Sequence, residues 1–125
     1  MIEYTVKVYD NRTEWLNKDD KLHRVDGPAI EYNDGDKHWY INGECHRDND
    51  LPAVEWNDGS KSWYKNDLRH RIDGPAMECS NGEKEWYIEG IQYTEDEFNQ
   101  EINPVKEMTV KEISEKLGCE IKIIK

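Results

Sequence analysis

From residue 22 to residue 90 the apolar and polar positions recur in one order. A proline, an alanine, a larger apolar residue and a glutamate come first; an Asp-Gly or Asn-Gly pair, a lysine and a Trp-Tyr pair follow. The order is written three times, with Arg24, Arg47 and Arg71 and with Trp39, Trp63 and Trp86 marking a period of 23 to 24 residues. A period of this length signals one supersecondary unit stacked on copies of itself.

The turn residues predict what that unit is. Asp34-Gly35, Asp58-Gly59 and Asn81-Gly82 supply the positive φ of a type I′ hairpin turn. With each pair as the two central residues, Ile30 faces Trp39, Val54 faces Trp63 and Met77 faces Trp86. Ala29, Ala53 and Ala76 then face Tyr40, Tyr64 and Tyr87 on the other side of the strands. The apolar–Trp pairs are expected to line the interior. The small alanines leave room for a neighbouring unit or a ligand. A second turn signal follows each Trp-Tyr strand, at Asn42-Gly43, Asn66-Asp67 and Glu89-Gly90. His-Arg and a short loop then lead to Pro28, Pro52 or Pro75, each suited to the start of a strand. The sum is a meander of short hairpins in one twisted antiparallel sheet.

The flanks differ from the array. Ile2, Tyr4, Val6 and Val8 alternate with polar residues, as in a half-buried strand. Thr13 to Asn17, with Trp15, resembles a degenerate Trp strand and makes residues 1–21 a strand plus partial repeat that caps the array. Beyond Gly90, Thr94 to Glu97 form a capping box that starts a helix from about Glu95 to Ile102, ended by Asn103-Pro104. A second box at Thr109–Glu112 starts a helix with Val110, Ile113 and Leu117 on one stripe; Cys119, Ile121 and Ile123 alternate as a last strand. The fold class is β-rich α+β: an antiparallel sheet of repeated hairpins, then two short helices and a final strand. One domain is expected over residues 1–125, with 22–90 as the repeats and 91–125 as a helical cap.

Composition narrows the partners. The chain has 125 residues and a net charge of −11. Phosphate neutralisation needs basic surface, so this balance speaks against a nucleic-acid polymer and against an anionic membrane. No apolar run reaches the length of a membrane span, and no signal peptide is evident. Three widely spaced cysteines without a CxxC motif suit a reduced cytosolic protein. Only 35% of residues are hydrophobic, but five Trp and seven Tyr compensate, giving a thin aromatic core that needs terminal caps or a partner chain.

The candidate chemistry centres on His23-Arg24, His46-Arg47 and His70-Arg71. Guanidinium groups in a row can fork onto phosphate oxygens. The competing role is an ion pair inside each repeat, to Asp26 and Asp73 or to Glu31, Glu55 and Glu78; a feature present in every unit is explained first by what every unit needs. Catalysis requires one convergent site, and the chain lacks HExxH, GxSxG, a glycine-rich phosphate loop and metal-ligand spacing, so no enzyme and no cofactor are expected. Aromatic positions that break the pattern, Trp15 and Trp56, could stack on a base or belong to the core. Arg69, Asn99-Gln100, Lys106 and Lys111 break it as well, as ligand contacts or as a solvated surface.

The spacing DG-x-K-x-W-Y-x-(N)G resembles MORN-type repeats, which are hairpins, and the HRxDGPA segment resembles repeats in small phage-encoded proteins. In its order of elements the whole chain is similar to the Thoeris anti-defence sponge proteins of phages. That resemblance implies a protein that binds and sequesters cyclic ADP-ribose isomers made by bacterial TIR enzymes, without cleaving them, in the cytoplasm of the infected host. Some members also bind cyclic oligonucleotides at a second site. A cyclic ADP-ribose isomer needs an aromatic or guanidinium plane for its adenine, Arg or Lys donors for its pyrophosphate and amides or carboxylates for its ribose hydroxyls; Trp15, Arg24, Arg47, Arg71, Asn99 and Lys111 are the candidates in this chain. The resemblance further implies a homodimer or higher homo-oligomer with pockets between chains. The alternative is a MORN-like protein-interaction scaffold with no small-molecule ligand.

Overall fold

The computed structural model describes residues 3–102; the expected second helix, the last strand and Lys111 lie outside the described residues. Thirteen short strands precede one helix. β1 (Thr5–Val8) and β2 (Arg12–Leu16) form the first hairpin. Each repeat then begins with a hairpin: β3 (Ile30–Tyr32) with β4 (Lys37–His38), β7 (Val54–Glu55) with β8 (Lys61–Ser62), and β11 (Met77–Glu78) with β12 (Lys84–Ile88). These strands, with β13 (Ile91–Tyr93), make one nine-stranded sheet in the order β1-β2-β3-β4-β7-β8-β11-β12-β13. Two ribbons stand apart from it: β5 (Tyr40–Ile41) with β6 (Glu44–Cys45), and β9 (Tyr64–Lys65) with β10 (Leu68–Arg69). The expected single meander is therefore split.

The split occurs at Trp39 and Trp63. The Trp39 amide donates to the Ala53 carbonyl across the main sheet (2.7 Å), while its carbonyl accepts the His46 amide on the ribbon side (3.2 Å). Trp63 does the same with Ala76 (2.7 Å) and His70 (3.1 Å), and Trp15 with Ala29 (2.8 Å) and His23 (2.9 Å). In a regular strand both groups of one residue point to the same neighbour. Here Trp39 and Trp63 are backbone corners that pass the chain from sheet to ribbon, while β2 and β12 run unbroken through Trp15 and Trp86. The alternating sequence pattern does not encode that corner.

The turns also differ from expectation, and they shift the register. Tyr32 donates its amide to Asp36 (2.9 Å) and accepts from Gly35 (3.0 Å); Gly35 has φ +106°, while Asp34 is not among the residues with positive φ. Each Asp-Gly or Asn-Gly pair thus ends a three-residue loop, a type I turn closed by a bulged glycine, and not a two-residue type I′ turn. Side chains select this form: Asp34 Oδ1 accepts the amide of Asp36 (3.0 Å), Asp58 Oδ1 that of Ser60 (2.8 Å) and Asn81 Oδ1 that of Glu83 (3.0 Å). The register moves by one residue. Ile30 stands opposite His38, Val54 opposite Ser62 and Met77 opposite Glu85, so the expected aliphatic–Trp and Ala–Tyr pairs do not form. True type I′ turns occupy the second signal: Asn42-Gly43, Asn66-Asp67 and Glu89-Gly90 all have positive φ at both positions.

The core lies along the tryptophan row. Ala29, Ala53 and Ala76 are fully enclosed, which removes the expected room beside them for a ligand. Leu16, Ile30, Cys45, Val54, Trp63 and Phe98 are buried as well. At the far end of the sheet the turns bond to one another: Asn57 takes the Asp36 carboxylate on its amide (2.8 Å) and donates Nδ2 to the Asp34 carbonyl (2.8 Å). The N-terminal strand is an edge, not the expected half-buried element, with Val6 and Val8 open to solvent. The capping box at Thr94–Glu97 forms as expected, the two residues exchanging bonds of 2.9 and 3.1 Å, and helix α1 (Glu95–Ile102) follows.

Burial pushes the Cys45 thiol up to about 12, with the Asp67 carboxylate adding to the shift. At neutral pH it is an enclosed thiol without nucleophilic character. Native protein treated with iodoacetamide at pH 8 should leave the Cys45 peptide unmodified by mass spectrometry, and unfolding in urea should make it react fully. Modification of Cys45 before unfolding would contradict its enclosure.

Candidate functional site

The histidines of the repeats face backbone. His23 Nδ1 accepts the Asn42 amide (2.9 Å), His46 Nδ1 the Asn66 amide (3.1 Å) and His70 Nδ1 the Glu89 amide (2.9 Å). In each case the donor is the first residue of the next type I′ turn, whose amide points out of the ribbon and needs a partner. The ring nitrogen that accepts carries no proton, so Nε2 carries it. These rings pin ribbon to loop, and in this role none is placed to act as a general base.

Each arginine places its guanidinium over the tryptophan of the unit before it. The guanidinium carbon is 4.0 Å from the Trp15 ring for Arg24, 3.8 Å from the Trp39 ring for Arg47 and 3.9 Å from the Trp63 ring for Arg71. Nη1 of each donates to the carbonyl of the repeat proline: Pro28 (3.2 Å), Pro52 (3.0 Å) and Pro75 (3.1 Å). The same nitrogens meet carboxylates at Glu31 (3.0 Å), Glu55 (3.2 Å) and Glu78 (3.6 Å). Arg24 adds Asp26 (3.1 Å). A Cβ at Gly27 would lie 2.9 Å from the Arg24 Cζ, so a larger residue there would displace the guanidinium.

The second repeat departs from the others by one residue between arginine and proline. Asn49 and Asp50 absorb the insertion with φ of +66° and +56°. Asp50 then reaches forward to the next unit, accepting Nε (2.9 Å) and Nη2 (3.2 Å) of Arg71 side-on, while its carbonyl accepts the Trp63 indole (3.0 Å). The expected Arg71–Asp73 pair is replaced by this one.

Between successive loops the surface opens into a row of three clefts. The first, of about 510 Å³, has Trp39 between the Arg24 and Arg47 loops. The second, of about 280 Å³, has Trp63 between the Arg47 and Arg71 loops. The third, of about 610 Å³, has Trp86 beside the Ile72–Pro75 loop. No fourth loop follows there; Phe98, Asn99 and Ile102 of α1 form the wall in its place. Of the sequence-predicted site residues, Arg24, Arg47 and Arg71 line the first two clefts and Asn99 the third. Trp15 lies beneath Arg24, outside the clefts.

The rims carry what sequence reasoning missed. Asp26, Asp48 and Asp73 are exposed beside the arginines, with Val25, Leu51 and Ile72 exposed among them. Their signal was the variable position of HRxD, which is apolar in two units although it lies in a loop. Arg24, Arg47 and Arg71 each already hold a carboxylate, and the acids outnumber the arginines, which leaves the row net negative. Among the described residues no group of His, Cys, Asp and Glu could hold a metal ion, and no helix is long and apolar enough to cross a membrane. Compared with known proteins, the chain matches no family model, no curated protein and no solved structure.

Proposed function

We propose that the protein is a non-catalytic interaction scaffold whose binding surface is the row of three clefts. One observation carries this: the histidines and arginines of every unit are engaged inside the array, and what they leave facing solvent is acidic and apolar. Apolar side chains in a ring of carboxylates suit a protein partner with basic groups. A photo-crosslinking amino acid at Ile72 should yield one discrete protein adduct in cells, and the same group at Asn81, in a turn at the far end of the sheet, should yield none. Equal labelling from both positions, or none from Ile72, would overturn the proposal.

A second role is favoured by one feature of the first cleft, which gathers Arg24, Arg47 and Trp39 at one opening. There the protein would sequester a cyclic ADP-ribose-type nucleotide as a homodimer or higher homo-oligomer, in the cytoplasm of a phage-infected bacterium. Purified protein mixed with such an isomer, filtered and then heated should release it intact. Retention in the filtered protein would put this role ahead of the scaffold; passage of all nucleotide through the filter would remove it.

A further inference from the structure

The clefts follow the repeats, and the repeat has a length. Each repeat contributes two strands to the main sheet, so successive clefts lie about 9.6 Å apart. A polyproline II helix has three residues per turn and rises about 9.3 Å in that turn. Its residues i, i+3 and i+6 therefore fall on one side and in step with the clefts. A β-strand covers a similar distance in three residues, but every third side chain points to the opposite face. An α-helix advances about 5.4 Å per turn, and two turns overshoot each step by more than 1 Å.

The chemistry of each step is the same. An indole, an apolar loop residue and exposed carboxylates meet in each cleft: Val25 and Leu51 with Asp26 and Asp48 in the first, Ile72 with Asp48 and Asp73 in the second, and Ile72 with Asp73 in the third. Asp26 holds the Arg24 Nε (3.1 Å) and Asp48 the His46 Nε2 (2.7 Å) through Oδ1, but their side chains are 74% and 80% exposed and leave the second oxygen open to a ligand. A lysine or arginine fits such a step, its methylene stem along the apolar surface and its head on the carboxylate. We propose that the row binds a proline-rich segment of a partner protein in the polyproline II conformation, with a basic residue at every third position. This rests on the scaffold role and names the partner's chemistry. Proline suits the intervening positions because it holds the segment in that conformation before binding, which lowers the ordering cost.

The test uses fluorescent peptides on the whole protein. Repeated Lys-Pro-Pro triplets should bind in fluorescence anisotropy. Lys-Pro-Pro-Pro tetrads with the same number of lysines should bind about tenfold more weakly, because they cannot engage the steps together. Glu-Pro-Pro triplets should not bind. Combining Asp26→Asn, Asp48→Asn and Asp73→Asn should weaken the triplet about thirtyfold at unchanged far-ultraviolet circular dichroism. Equal binding of triplets and tetrads would mean charge attraction without register and would overturn the proposal, as would failure of the triplet to bind. An adduct from Ile72 in cells together with failed triplet binding would remove this partner class and leave the scaffold role standing.

Discussion

Trp63→Ala should cost about 4 kcal/mol of stability, the largest loss for any single side chain in the array. The residue is 6% exposed, and three different attachments meet on it. Its backbone is the corner between sheet and ribbon, its indole nitrogen donates to the Asp50 carbonyl, and its face carries the Arg71 guanidinium. Alanine keeps the corner hydrogen bonds but leaves an apolar void, an unpartnered carbonyl and a guanidinium with nothing beneath it. For a small domain this is a large part of the total stability, so urea denaturation should show a midpoint near zero denaturant or a partly unfolded population in buffer. Trp63→Phe should recover roughly half of the loss, since area returns and the indole hydrogen bond does not. Trp15→Ala should cost less, because that ring is only partly buried and belongs to the first unit. A loss below about 1 kcal/mol for Trp63→Ala would mean that the tryptophan row does not hold the units together.

That row also divides what the sequence told from what it concealed. The period placed all three units and the degenerate strand around Trp15, because repetition is visible wherever a unit must present the same face to its neighbours. The capping box at Thr94–Glu97 was equally legible, its two hydrogen bonds being local. The register was not. Asp-Gly serves a two-residue turn with both residues at positive φ and a three-residue loop with only the glycine there. The choice is made by Asp34, Asp58 and Asn81 reaching two residues ahead. One residue of slip moved tryptophan off the aliphatic positions and under the arginines. Among the candidate site residues, the sequence named the loops that border the first two clefts and weighed both roles of the arginines. The stacking partner escaped, because the tryptophan lies eight or nine residues earlier in the chain and belongs to the preceding unit. Of the rim aspartates, Asp26 and Asp73 were weighed only as arginine partners, and Asp48 sits at the variable position of the motif.

Arg71→Lys should cost about 2 kcal/mol and lower the melting temperature by roughly 10 °C, although the charge is kept. Arg71 uses the shape of its head group. Nε and Nη2 meet the two oxygens of Asp50 side-on, Nη1 turns to the Pro75 carbonyl, and the guanidinium lies over Trp63. An ammonium is a single point with three donors and cannot satisfy a side-on carboxylate, a carbonyl on another edge and a ring face together. Arg24→Lys and Arg47→Lys should each cost about 1 kcal/mol, because neither arginine makes a bidentate pair and each keeps a carboxylate that an ammonium can reach. The order of the three losses separates the two roles assigned to these residues. If the arginines serve the array, thermal melts will rank Arg71 first and the peptide affinity of the lysine variants will follow their folded fraction. If they serve an anionic ligand, the three variants will melt with wild type, and nucleotide retention alone will fall.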